Sequence, residues 1–164
     1  MRTRLLALVA AALLAACAAN PYNAPSVQPG TSRQDVVARM GPPTRVVALA
    51  GGERLQYSTQ PFGQQAWMVD LDAAGRVVQA RQVLHATEFH RIVPGQWTRQ
   101  DVQREFGPPA RIEGVSSWSG PVLTYRWRDV DRSDMFWWVY LDERGVVQRS
   151  HQGMEFVNAP NERN

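Results

Sequence analysis

The residue types that most often carry chemistry are sparse in this chain. There are three histidines, His85, His90 and His151, and one cysteine, Cys17. His85 and His90 stand five apart, a spacing that does not place them on one face of a helix, and no second thiolate is there to complete a zinc set with them. The run Asp129-Val130-Asp131-Arg132-Ser133-Asp134 opens like a calcium loop. Its sixth position, where that loop needs glycine, is Asp134, and its twelfth, where a bidentate glutamate is needed, is Tyr140. It reads as a polar hairpin loop. There is no Gly-x-Ser-x-Gly elbow, phosphate-binding loop, dinucleotide fingerprint or Glu-x-x-His element, and Ser116 and Ser117 have no motif around them. The sequence therefore offers no catalytic residue, no metal site and no cofactor, and the expectation is a protein that is not an enzyme.

Binding chemistry is better represented. On the stretch Met135 to Leu141, Trp137, Val139 and Leu141 recur as Trp67, Val69 and Leu71 earlier in the chain, which marks them as core positions. Strand alternation then sends Phe136, Trp138 and Tyr140 to the opposite side. If the preceding strand pairs with this one as a hairpin, Leu123, Tyr125 and Trp127 take the core side, while Thr124, Arg126 and Arg128 join the three rings. Arginine beside aromatic residues is the composition of an interface hot spot, so Phe136, Trp138, Tyr140, Arg126 and Arg128 are the candidate partner-binding residues. The equivalent face of the earlier stretch carries Ala66, Met68 and Asp70 with Gln56 and Ser58, so the fold does not itself require the rings. The alternative is that the C-terminal segment, through Met154, Phe156 and Val157, folds back and covers them.

The elements that must hold this face follow from an internal repeat. Ser32 to Val46 occurs again as Thr98 to Ile112, with eight of fifteen aligned positions identical. Each copy reads as a short helix: Ser32 or Thr98 as N-cap, Asp35 or Asp101 completing a capping box, and Gly41 or Gly107 closing it. The following proline pair forbids continuation. Val36 with Met40, and Val102 with Phe106, form an apolar stripe too narrow to be stable alone. After each helix the chain alternates like strands. Arg45 to Leu49 and Arg54 to Thr59 flank a turn at Ala50-Gly51-Gly52; Ala66 to Leu71 and Arg76 to Leu84 flank Asp72-Ala73-Ala74-Gly75. The second copy repeats the plan through Tyr125, Trp137, Val139, Leu141 and Gly145, with an extra short helix expected near Thr87 to Val93.

The first sixteen residues are of a different kind. Arg2 and Arg4 precede an apolar run from Leu5 to Ala16, the pattern of a signal peptide and too short for a permanent membrane span. Leu14-Ala15-Ala16-Cys17 resembles the bacterial lipobox, which implies that Cys17 is lipidated; Ala18 after it implies export to the outer membrane. A lone thiol in an oxidising compartment would otherwise be a liability. The formal charge of +3 loses Arg2 and Arg4 with the leader, and the remaining arginines are interspersed with acids. That excludes the electrostatic footprint of a nucleic-acid binder.

Gly30, Asp35-Val36, Gly41-Pro42-Pro43, Tyr57 and Val69-Leu71-Gly75, and again Gly95, Asp101-Val102, Gly107-Pro108-Pro109, Tyr125 and Val139-Leu141-Gly145, together with the lipobox, resemble the SmpA/OmlA or BamE-like family of outer-membrane lipoproteins. The resemblance implies an accessory of the β-barrel assembly machinery, acting in outer-membrane protein assembly or envelope integrity, held at the periplasmic face by its lipid. Two units in tandem are also similar to the layout of β-lactamase-inhibitory proteins, which implies the alternative of an inhibitor or sequestering module for a periplasmic enzyme such as a hydrolase. The expected fold is α+β: two tandem repeats of a helix and an antiparallel meander, with the helices on one face of a shared or continuous sheet. The expected organisation is a signal peptide over 1–16, lipidated Cys17 and a tether over 17–29, repeat one over 30–85, repeat two over 86–151, and a tail over 152–164.

Overall fold

The computed structural model describes residues 24 and 26–155. The expected signal peptide, Cys17, most of the tether, and Phe156 and Val157 lie outside them.

In chain order the elements are α1 (Arg33–Met40), β1 (Arg45–Leu49), β2 (Gly52–Ser58), β3 (Ala66–Asp72), β4 (Val77–Gln82), α2 (Ala86–Phe89), α3 (Arg99–Phe106), β5 (Arg111–Gly114), β6 (Pro121–Arg128), β7 (Asp134–Leu141) and β8 (Val147–Met154). The strands form two separate four-stranded sheets, ordered β1-β2-β3-β4 and β5-β6-β7-β8. This overturns the α+β expectation of helices layered on one shared or continuous sheet. Strand and bridge residues make up 44% of the described chain and helix only 17%, so the protein is predominantly antiparallel β. The physical reason is length: an eight-residue helix rises about 12 Å, too little to form a layer. The β3–β4 ladder runs on as far as Val83, whose N–H donates to Ala66 O at 2.9 Å, and there Val83 and Leu84 enter the core. β4 and β5 therefore do not pair. Among the described residues no helix is long and apolar enough to cross a membrane.

The chain divides into two compact units, and the division does not follow the repeat boundary. One unit holds the described residues up to Tyr57 together with Val69–Arg81; the other holds Ser58–Met68 and the chain from Gln82 onward.

In the first unit, Ser32 caps α1 by accepting from Asp35 N–H, and Gly41 closes the helix at φ +81°. Val36 and Met40 are buried with Leu55, Tyr57, Val69 and Leu71. Tyr57 Oη donates to Gly41 O at 3.1 Å, fastening the helix end to β2; burial raises its pKa to about 12. In the second unit, Thr98 caps α3 in a reciprocal capping box with Asp101, and Tyr125 Oη donates to Gly107 O at 2.9 Å. Its core is aromatic. Phe89 of α2 stacks on Trp137 with centroids 4.9 Å apart and lies 4.8 Å from Phe106, which in turn meets Tyr125 at 6.1 Å. Each such ring, taken out of water, contributes on the order of 2 kcal/mol. Leu123, Tyr125, Trp127, Trp137, Val139 and Leu141 all belong to this cluster. So do Ala66 and Met68, expected to face away from a core.

Candidate functional site

With Trp137, Val139 and Leu141 buried on one side of β7, the register fixes what stands on the other. Trp138 lies opposite Thr124 on β6 and His151 on β8; Phe136 lies opposite Arg126 and Gly153; Tyr140 lies opposite Val122 and Arg149. Phe136, Trp138 and Tyr140 are half-buried, so their rings are partly open to solvent.

The rings form a connected array. Phe136 and Trp138 are 5.6 Å apart, Trp138 and His151 5.2 Å, and His151 stacks on Tyr140 at 5.4 Å. Trp118 meets Tyr140 edge-on at 5.4 Å and is fixed by its indole N–H donating to Leu141 O at 2.7 Å. Arg149 lies over Tyr140 at 4.0 Å and over Trp118 at 5.2 Å, and Arg111 lies over Phe136 at 5.0 Å. Each cation over a ring is worth about 0.5–1 kcal/mol at such partly exposed positions. His151 Nε2 and Tyr140 Oη are 3.2 Å apart, and His151 Nδ1 is 3.3 Å from Gln152 O. A neutral ring that donates from Nδ1 and accepts from Tyr140 satisfies both contacts. Gly153 makes room for the array: a Cβ there would stand 2.5 Å from Trp138 Cζ3.

The two arginines expected on this face are engaged in different ways. Arg126 is a clamp. Its guanidinium holds Glu155 through Nε to Oε2 at 2.9 Å and Nη2 to Oε1 at 2.7 Å, and its Nη1 donates to Pro61 O and Phe62 O. Its backbone lies beyond the end of β5 and is met by the Gln60 side chain, which donates to Arg126 O at 2.6 Å and accepts from its N–H at 3.2 Å. Arg126 therefore organises the edge of the face. Arg128 is exposed and pairs with Asp134 at 3.0 Å. A hydrogen bond from Gln64 and this pairing hold the Asp134 carboxyl below the usual range. The Phe62 ring, brought to the same edge by the Arg126 clamp, is 90% exposed.

Trp118, Arg111, Arg149 and His151 complete the face and were not singled out in the sequence. Parity along β5 and β8 would have found the last three once their registers were known; Trp118 sits in a loop and had no signal. Arg111 is held by Glu113 at 3.0 Å, whereas among the described residues no carboxylate pairs with Arg149. The result is a surface of five rings, counting His151, with an available cation at one end. It is suited to grip an apolar group and an anionic one together. Among the described residues no three His, Cys, Asp or Glu side chains gather closely enough to hold a metal ion.

No protein-family model matches the chain, and no curated protein does. Among solved structures the chain is similar to a DUF4309 family protein, YjgB, from Bacillus subtilis subsp. subtilis str. 168. The identity is 18% and the TM-score 0.32, over 76% of this chain and 79% of that one.

Proposed function

We propose that this chain is a non-catalytic binding module, lipidated at Cys17 and held at the periplasmic face of the outer membrane, where it serves outer-membrane protein assembly or envelope integrity by capturing a protein partner on the ring face of β7. The lipobox-like Leu14-Ala15-Ala16-Cys17 supports the anchoring. Stable attachment then follows from the several acyl chains such a cysteine carries, since a single chain binds only marginally. The observation that carries the binding role is the array of Phe136, Trp138, Tyr140, His151 and Trp118 with Arg149 stacked on it. Tyr, Trp and Arg are the residues in which interface hot spots concentrate.

The test is a photo-crosslinking residue placed at Trp138 or Tyr140 in the full chain, with membranes as the source of partner. A subunit of the barrel-assembly machinery or another envelope scaffold in the adduct is the expected result. A hydrolase there would overturn the scaffold role in favour of inhibition. Replacing Trp138 and Tyr140 together by Ser should weaken capture by about 2 kcal/mol, roughly thirtyfold. Cys17→Ser should release the protein from the membrane fraction, and unchanged sedimentation would sink the anchor.

A further inference from the structure

The outer edge of β8 is an open strand edge. Glu155 N–H donates to Asp134 O at 2.8 Å, in line with the β7–β8 register. Antiparallel alternation then turns the backbone N–H and C=O of Ser150 and Gln152 away from β7. Past the register shift near Tyr140 and Leu141, the outward groups of Val147 are taken: its C=O accepts from Gly95 N–H at 2.7 Å and its N–H donates to Trp97 O at 2.8 Å. Beyond Val147 the covering stops. Among the described residues Ser150 and Gln152 have no strand partner on that side, only the 3.3 Å contact of His151 Nδ1 with Gln152 O. Elsewhere the same sheet treats such groups differently, since the stretch of β6 that outruns β5 is sealed by the Gln60 amide. Edges left open are templates for another strand.

A groove of about 490 Å³ runs along this edge, lined by Phe89, His90, Ile92, Pro94 and Trp137 and by β8 residues 149–152. Its lining includes Arg149, His90 and His151 and no Asp or Glu. We propose that β8 takes up an extended, acidic peptide segment as an added strand. The backbone of Ser150 and Gln152 would supply the ladder. Alternate side chains of the segment, those opposite Ser150 and Gln152, would lie toward Phe89, Ile92 and Pro94; the intervening ones would lie beside His151 and beside Arg149, whose charge favours carboxylates. A second copy of this chain is disfavoured as occupant, because β8 (Val147–Met154) carries no Asp or Glu to set beside Arg149. This site goes beyond the ring face, with which it shares Arg149 and His151 at one border.

The experiment uses the isotope-labelled full chain in detergent micelles and the peptide acetyl-Ser-Glu-Val-Glu-Val-Glu-Ser-amide. Binding should slow hydrogen exchange at the Ser150 and Gln152 amides at least about tenfold. N-methylation of the two valines, which removes the ladder donors while keeping the side chains, should abolish it. Lysine in place of the three glutamates should weaken binding about tenfold, and Arg149→Glu should reverse that order. Gln152→Pro removes an outward N–H that the sheet does not use and should abolish binding with the β7–β8 ladder intact by NMR. Phe136→Ser, which alters the ring face at a residue that meets Trp138 and Arg111, should leave peptide binding in place, which separates failure here from failure of the ring face. Absence of binding, equal binding of the N-methylated peptide, or protection that rises with protein concentration in the peptide's absence would each overturn the proposal, the last in favour of a second copy.

Discussion

In the first sheet, Arg54 on β2, Asp70 on β3 and Gln79 on β4 meet side by side. Arg54 grips Asp70 through Nε to Oδ1 at 2.5 Å and Nη2 to Oδ2 at 3.0 Å, and Gln79 Nε2 donates to Asp70 Oδ2 at 2.8 Å. At the corresponding positions of the second sheet, aligned through Leu55/Leu123, Trp67/Trp137 and Gly75/Gly145, stand Val122, Tyr140 and Arg149. The ionic cluster is buried, with Arg54 5% and Asp70 7% exposed, whereas Tyr140 is half-open and Arg149 exposed. The parts that hold a helix to a strand are the same in both copies: an N-capping hydroxyl, a closing glycine, and a tyrosine on that glycine's carbonyl. What differs is the far side of the sheet. In one copy a buried ionic cluster occupies it at these positions, and in the other rings and a cation face outward.

The largest effect should come from breaking the ionic side of this comparison. Burial works against ionisation of Asp70, but the hydrogen bonds from Arg54 and Gln79 and the positive charge of Arg54 and Arg81 outweigh it and hold the carboxyl below its usual range. Arg54→Ala leaves that carboxylate without its main partner and should destabilise by about 3–5 kcal/mol in urea unfolding. Arg54→Met combined with Asp70→Leu makes the cluster apolar, as the second sheet is at Val122, and should be close to neutral. A carboxyl whose folded pKa is depressed contributes stability above its unfolded value, near 4, and loses it as pH falls through the lower folded value. Stability of the natural chain should therefore drop below about pH 4 more steeply than that of the double variant. Equal acid profiles would mean that Asp70 is not the group responsible.

The ring face can be broken in a way that has no counterpart in the first sheet. Gly153 sits against Trp138, while the aligned position in the first copy is Val83, fully buried. Gly153→Val should cost about 1–3 kcal/mol by overpacking, shift the tryptophan fluorescence as Trp138 is displaced, and weaken partner capture. A variant of natural stability and unshifted fluorescence would show that Trp138 does not need that space.

Much of this was legible from residue types. Alternation along Met135 to Leu141 separates Trp137, Val139 and Leu141 from Phe136, Trp138 and Tyr140 because the strand period of two is rigid, and the helix ends are marked by local caps that need no tertiary context. Contacts that depend on which strands pair, and in what register, were not. Arg54 and Asp70 are sixteen residues apart and look like ordinary surface charges until β2 and β3 are laid together. Gln60 and Gln64 sit in a loop with no motif, yet their amides bond to Arg126, Trp127 and Asp134. The separation of the two sheets was hidden for a similar reason. Nothing local in Val83-Leu84 says that the chain leaves the ladder there to enter a core.

The smallest effect concerns the caps, where the two copies come closest to being alike. Ser32 Oγ accepts from Asp35 N–H at 3.1 Å and its hydroxyl donates to the Asp35 carboxylate at 2.7 Å. Thr98 makes the same pair of contacts, at 3.3 and 2.7 Å, and adds a third: its backbone N–H donates to Asp101 Oδ2 at 2.8 Å. Hydrogen bonds from the Thr98 backbone, then from its hydroxyl, hold the Asp101 carboxyl below the usual range. Only at Thr98 does the box close in both directions, so Asp101→Ala should cost about 1 kcal/mol, near the middle of the range for a lost cap, and Asp35→Ala only a few tenths. The sign of the pH dependence is the same as for Asp70: the contribution of Asp101 is present above about pH 4 and fades as the carboxyl protonates below it. Thr98→Ala and Ser32→Ala, by contrast, each remove one hydroxyl with the same two contacts and should cost about the same, roughly 1 kcal/mol. If the two aspartate variants prove equally costly while the hydroxyl variants differ, the extra backbone bond at Thr98 carries no weight, and the difference between the helices must be sought in the stripes they bury, Val36 with Met40 against Val102 with Phe106.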